Sequence, residues 1–147
     1  LEIMGKGIEL NGKIYPCTVS LAMDLVGGKW KTVILYHLKD GQKRYNELKK
    51  EIPTITEMTL SLQLKQLEAD GLITRKVFGD KPPVKVIYEL TGFGKTFIPA
   101  LEAINAWGHQ IVEEKITDDQ NRQGGEVNLK STNEPLDRSP KSEEEIV

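Results

Sequence analysis

Chemistry in this chain of 147 residues has few places to start: one cysteine, Cys17, and two histidines, His37 and His109. A single thiol excludes an internal disulfide, and no spacing of His, Cys or carboxylates resembles a zinc site. No metal or cofactor is expected. Redox chemistry at Cys17 would have to run between chains or with a small thiol. A helix expected from about Thr18 would set its positive dipole end beside Cys17 and favour the thiolate. The competing reading is a buried or merely inherited cysteine with no sensing role. A thiol enzyme is disfavoured, because neither histidine falls on a segment facing Cys17 and no acid or oxyanion motif accompanies it.

The second chemistry is recognition. In "TEMTLSLQLKQLEADG", Thr56 to Gly71, Thr56 stands where a helix N-cap belongs and Gly71 where the helix stops. At about 100° per residue Leu60, Leu64 and Leu67 share one narrow stripe, which must be buried. Met58, Leu62, Lys65 and Ala69 then lie opposite, flanked by Thr59, Ser61 and Gln66. Such a face suits a helix in a DNA major groove, with Met58 and Leu62 against thymine methyl groups and Thr59, Ser61 and Lys65 on base edges or phosphates. The blander alternative is scattered surface apolarity, or packing of Leu62 on a neighbouring element. Lys49 and Lys50 precede this helix, and Lys81 and Lys85 follow it, so cations flank it on both sides.

The elements that must position these residues read as follows. Asn11-Gly12 between "IEL" and "KIY" suits a tight hairpin, so residues 1–16 read as an N-terminal arm or hairpin. "TVSLAMDLVGGKWKTVILYHLKDG" gives two helices split by Gly27-Gly28, with Trp30 on an apolar stripe and His37 half-buried and structural. "KRYNELKKEIPTI" gives a short helix ended near Pro53, where Tyr45 serves as a core edge or a phosphate contact. "LITRKVFGDKPPVKVIYELT" is two strands around a Gly-Asp-Lys-Pro-Pro tip. A long final helix follows, with a kink expected at Pro99. This order, an α+β arrangement that is mostly α, is that of a winged helix-turn-helix with a two-stranded wing and a long C-terminal dimerisation helix.

On that last helix Phe93, Phe97, Leu101, Ile104, Trp107 and Ile111 form a stripe broad enough to suggest a homodimer; packing within its own domain is the alternative. Residues 17–116 read as the main domain. From residue 117 onward the chain is polar and lacks any apolar period, so 117–147 is expected to be a disordered acidic tail. The net charge of −2 divides into +3 over residues 1–112 and −5 over 113–147. A mildly basic body permits DNA binding without proving it. No stretch reaches the roughly 18 apolar residues of a membrane span and no signal-peptide pattern opens the chain, so a cytoplasmic location is expected.

Several separate motifs, in order, carry a resemblance to a known family: "CTVSLAMDLVGGKWKTVILYHL", "KRYNELKKEIPTIT", "LKQLEADGLITRK", "PPVKVIYELTGFGKTFIP" and "AINAWG". Together, over about Cys17 to Gly108, they resemble the HxlR family of bacterial winged-helix transcription regulators, related to the MarR group. The resemblance implies a homodimer on a pseudo-palindromic double-stranded DNA operator, with residues 56–70 as recognition helix and the hairpin around 79–84 as wing. It also implies a sensing role for Cys17, since some members use an N-terminal cysteine at this place against oxidants or electrophiles, and it leaves room for a small-molecule effector. This chain departs from the family in carrying Met58 and Leu62 where members often have polar or basic residues, and in a wing one residue longer. The alternative from another class is a winged-helix module that docks on protein through Leu62 and Met58.

Overall fold

The structure is a computed structural model that describes residues 3–4 and 7–123. It opens on a small antiparallel sheet of β1 (Ile3–Met4), β2 (Gly7–Leu10) and β3 (Lys13–Tyr15), in that order. Leu10 pairs with Lys13 across a two-residue turn in which Asn11 and Gly12 have φ of 51° and 78°. Both central residues of this turn need positive φ, which is why Asn-Gly occupies it. Ile8 is buried. β3 lies against α1 (Thr18–Val26), where the Tyr15 hydroxyl donates to Asp24 Oδ2 at 2.6 Å and Lys13 Nζ lies 3.3 Å from the same oxygen.

α1 ends at Gly27, and α2 (Lys31–Leu38) begins after the break, which the Thr32 hydroxyl spans by donating to the Val26 carbonyl at 2.7 Å. Val26, Ile34, Leu35 and Leu38 are buried, whereas Leu21, Leu25, Trp30 and Val33 are only partly covered. Two strand residues, β4 (Lys43–Arg44), lead into α3 (Tyr45–Glu51) and then α4 (Glu57–Ala69). α4 is fixed at both ends. Thr56 Oγ1 accepts the Thr59 N–H at 3.1 Å, and Gly71, at φ 77°, turns the chain so that the Gly71 and Leu72 amides bond the Glu68 and Leu67 carbonyls.

Leu72 feeds directly into β5 (Ile73–Phe78), which pairs antiparallel with β6 (Lys85–Leu90) from Ile73↔Leu90 to Phe78↔Lys85. β4 pairs on the other side of β6, so the sheet has three strands in the order β4-β6-β5. The sequence reading had two; a two-residue strand is too short to show a period. Leu48, Ile52, Ile55, Leu60, Leu64, Leu67, Leu72, Ile73, Tyr88 and Leu90 complete the core of this unit, which runs to Thr96.

The single kinked final helix is corrected. α5 (Gly92–Lys95) is capped by Thr91, and a separate α6 (Ile98–Gln123) starts after Phe97 and belongs to the second compact unit. Pro99 sits in the first turn of α6, where its missing N–H has no intrahelical partner to lose, so it starts a helix instead of bending one. The boundary at residue 117 is also moved, because α6 is helical through Gln123. Residues 109–123 contain neither Gly nor Pro, and a polar composition alone does not stop a helix; the Thr117 hydroxyl folds back onto the Glu113 carbonyl at 2.8 Å. The remainder of the expected tail, 124–147, lies outside the described residues.

Candidate nucleic-acid interface

α4 separates its two faces as its periodicity requires. Leu60, Leu64 and Leu67 are at most 1 % exposed, while Met58 is 84 % and Leu62 52 % exposed. The inner leucines lock the rotation of the helix, so the outer face is held out rigidly, and packing of Leu62 against a neighbouring element is not what the fold provides. Ser61 and Lys65 are exposed beside Leu62, and Thr59 is half-buried.

Thr56 caps the helix: its hydroxyl accepts the Thr59 N–H and donates to Thr59 Oγ1 at 2.8 Å, so the side chain positions α4 and keeps only acceptor capacity outward. Thr59 keeps its own proton free to donate outward. Tyr45 performs a related service: its hydroxyl donates to the Glu57 carbonyl at 3.1 Å and lies 3.2 Å from Ser61 Oγ. With the single tyrosine proton on Glu57, Ser61 donates to Tyr45 and keeps only acceptor capacity outward. Tyr45 thus ties α3 to the outer side of α4.

The flanking lysines are spread more widely. Lys49 and Lys50 lie in the last turn of α3, Lys49 half-buried and Lys50 exposed; Lys81 is at the wing tip and Lys85 opens β6, both exposed. Between the start of α3, the outer side of α4 and the wing lies a cleft of about 560 Å³ with Arg44, Tyr45, Asn46, Ser61, Arg75 and Lys85 on its walls. Of these the sequence reading singled out Tyr45, Ser61 and Lys85 and missed Arg44, Asn46 and Arg75. A signal for Arg75 existed: it stands two residues from Ile73 and so shares the inward face of β5.

Cys17 is exposed and occupies the N-cap position of α1 with extended backbone, φ −158°, its Sγ 3.3 Å from Ser20 Oγ. The Ser20 hydroxyl, reinforced by the Ser20 and then the Val19 backbone amide, holds the thiol below the usual cysteine range against an opposing desolvation. The side chain is therefore not a buried cysteine. His37, by contrast, is half-buried with Nδ1 3.7 Å from Glu51 Oε1.

The residues expected at a dimer interface divide between elements. Phe93 is on α5 and 51 % exposed, Phe97 lies between α5 and α6, and Leu101 is 2 % exposed and so offers no surface. Ile104, Trp107 and Ile111 recur on one side of α6 and are exposed, Trp107 at 64 %.

A rigid outward helix beside a wing is the geometry of a DNA-binding winged helix, and sequence comparison agrees. Residues 25–116 match the HxlR-like helix-turn-helix family. The chain is 46 % identical over 99 residues to the HTH-type transcriptional regulator YybR of Bacillus subtilis, spanning 65 % of this chain and 78 % of that protein. Among solved structures it superimposes on the redox regulator HypR in its oxidised form with a TM-score of 0.61 at 45 % identity, covering 64 % of this chain and 96 % of that one. The reduced form of the transcriptional regulator YodB from B. subtilis gives a TM-score of 0.54 at 32 % identity, over 74 % and 96 %. The chain belongs to the HxlR-like helix-turn-helix family and is a DNA-binding transcriptional regulator of that type. No described helix is long and apolar enough to cross a membrane.

Proposed function

We propose that the protein works in the cytoplasm as a homodimer that reads a pseudo-palindromic operator through Met58, Thr59, Ser61, Leu62 and Lys65, with Lys49, Lys50, Lys81 and Lys85 on phosphates. The observation that carries this is the outward face of α4, where Met58 and Leu62 remain exposed on a helix fixed by its cap and its inner leucines. Apolar groups so held match thymine methyl groups in the major groove. Ile104, Trp107 and Ile111 on α6, with Phe93 on α5, join two copies, and a two-fold axis sets two recognition helices about 34 Å apart.

Cys17 tunes this binding to oxidants. Its exposure and the support of its thiolate by Ser20 favour attack on a peroxide or hypohalous acid, which gives the sulfenic acid and releases hydroxide or halide. A second thiol then attacks that sulfur, forms the disulfide and expels water. As the chain has one cysteine, the second thiol comes from another copy or a small thiol; the relatives HypR, solved in oxidised and reduced forms, and YodB, solved reduced and diamide-treated, support the reading.

Selecting bound fragments from a random DNA pool with the reduced protein tests the operator. An enriched two-fold-related motif with half-sites one turn apart is expected; no enrichment overturns the proposal. Treating the selected complex with peroxide should change its affinity in the wild type and leave Cys17→Ser unaffected.

A further inference from the structure

We infer that Met58 is an oxidative modification site separate from Cys17, at which conversion of its thioether to the sulfoxide by a hypohalous acid releases α4 from the operator. The inference rests on the assignment of α4 as the DNA-reading helix and adds a chemical switch inside the reading face itself.

Position is the first argument. The chain has three methionines, Met4 on β1, Met23 on α1 and Met58 on α4. Met58 is 84 % exposed, more than any other large hydrophobic residue described, whereas Met23 is 52 % exposed. It is the second residue of α4, just after the Thr56 cap and four residues before Leu62, so the two apolar readers lie on one side of the helix. The cap and the buried Leu60 and Leu64 fix that turn. The sulfur is therefore open to an oxidant in the free protein and enclosed once the face meets bases. Leu62 has no heteroatom to oxidise, so Met58 is where oxidant chemistry and apolar recognition coincide.

Chemistry is the second. A thioether has no ionised form to speed its reaction, so dilute peroxide selects the Cys17 thiolate, while a hypohalous acid is electrophilic enough to take the sulfur electron pair directly. Overall, a sulfur–oxygen bond forms, the oxygen–halogen bond breaks, halide and a proton leave, and the two electrons lost by sulfur reduce the halogen. The product is polar and chiral where the thioether was apolar. Its oxygen only accepts hydrogen bonds, and a thymine methyl supplies no donor. Closing the interface over it strips water from a polar group without replacement. Because Met58 stands almost wholly in water, the same change takes nothing from the core, and its effect falls on recognition alone.

The test uses full-length protein in the Cys17→Ser background, which removes the thiol route, treated with a few equivalents of hypochlorous acid. Mass mapping of peptides should place one added oxygen on Met58 ahead of Met23, and operator present during treatment should protect Met58 but not Met23. The oxidised protein should bind the selected operator roughly five- to a hundredfold more weakly, hold a scrambled duplex as before and keep its melting temperature. Methionine sulfoxide reductases of both epimer specificities should restore binding, and peroxide at the dose that oxidises Cys17 should leave this background unaltered. Met58→Leu, whatever its own starting affinity, should lose none of it on treatment. Operator affinity that holds with Met58 fully oxidised overturns the switch while the reading role of Leu62 stands. Oxidation that takes Met23 and spares Met58 overturns it too, as does an equal loss in treated Met58→Leu. If the untreated protein prefers no duplex, the DNA-reading assignment itself falls and the switch with it.

Discussion

Leu62 leaves half its surface in water on a helix whose opposite leucines are sealed, so its removal should cost the fold almost nothing and cost recognition a good deal. Leu62→Ala is expected to keep the wild-type melting temperature, lose about 1–3 kcal/mol of operator binding and leave affinity for scrambled DNA unchanged. Equal weakening of both duplexes, in a fluorescence titration, would mean that Leu62 reads no base. At Cys17 the depressed thiol pKa arises first from the Ser20 hydroxyl. Alkylation by iodoacetamide should therefore reach half its maximal rate at a pH below that of an ordinary thiol, and Ser20→Ala should shift this midpoint upward. An unmoved midpoint would show that Ser20 does not support the thiolate. Leu62 could be found from periodicity alone. The Ser20 contact could not, because a serine three residues after a cysteine becomes a partner only once the cysteine takes the N-cap position.

At the scale of elements, the β-arm is tied to α1 by Tyr15 and Lys13 on Asp24. The Tyr15 hydrogen bond, with Lys13 second, holds the Asp24 carboxyl below its usual value near 3.8. A depressed folded-state pKa means the tie is fully present above the unfolded value and is lost as pH falls through the folded one. Hydrogen exchange at the β3 amides, normalised for the intrinsic pH dependence, should accordingly rise only below the ordinary Asp range, and Asp24→Asn should abolish that acid step. Gly94 belongs to the same scale: a Cβ there would overlap the Leu72 carbonyl oxygen, so Gly94→Ala should lower the thermal midpoint, and an unaltered midpoint would mean that α5 shifts freely. The long periodic elements, α4 and the two wing strands, were legible because each buries one face. β4 was not, since two residues carry no period, and the break before α6 was not, because the apolar pattern from Phe93 to Ile111 continues across it while Thr96 and Phe97 leave the helix. The cleft was only half legible: Arg44 and Arg75 are far apart in sequence, and only the folding of β4 and β5 beside β6 brings both to its lining.

For the whole molecule, the mildly basic body and the acidic C-terminal stretch divide the charge so that attraction to DNA resides in the winged-helix unit. Two copies joined through α6 would double that attraction and impose two-fold symmetry on the site. Ile104→Glu with Trp107→Glu should sediment as a monomer and bind a single half-site with wild-type intrinsic affinity while losing most of its affinity for the full operator. A dimer that persists would move the interface elsewhere. The account as a whole stands on α4 and the wing reading DNA, and fluorescence anisotropy of the reduced full-length protein with labelled operator and scrambled duplexes across a salt series tests this most directly. Tight binding that prefers the operator and falls steeply with salt is the predicted result; weak binding, indifferent to both sequence and salt, would contradict it and turn the exposed face of α4 into a surface for protein.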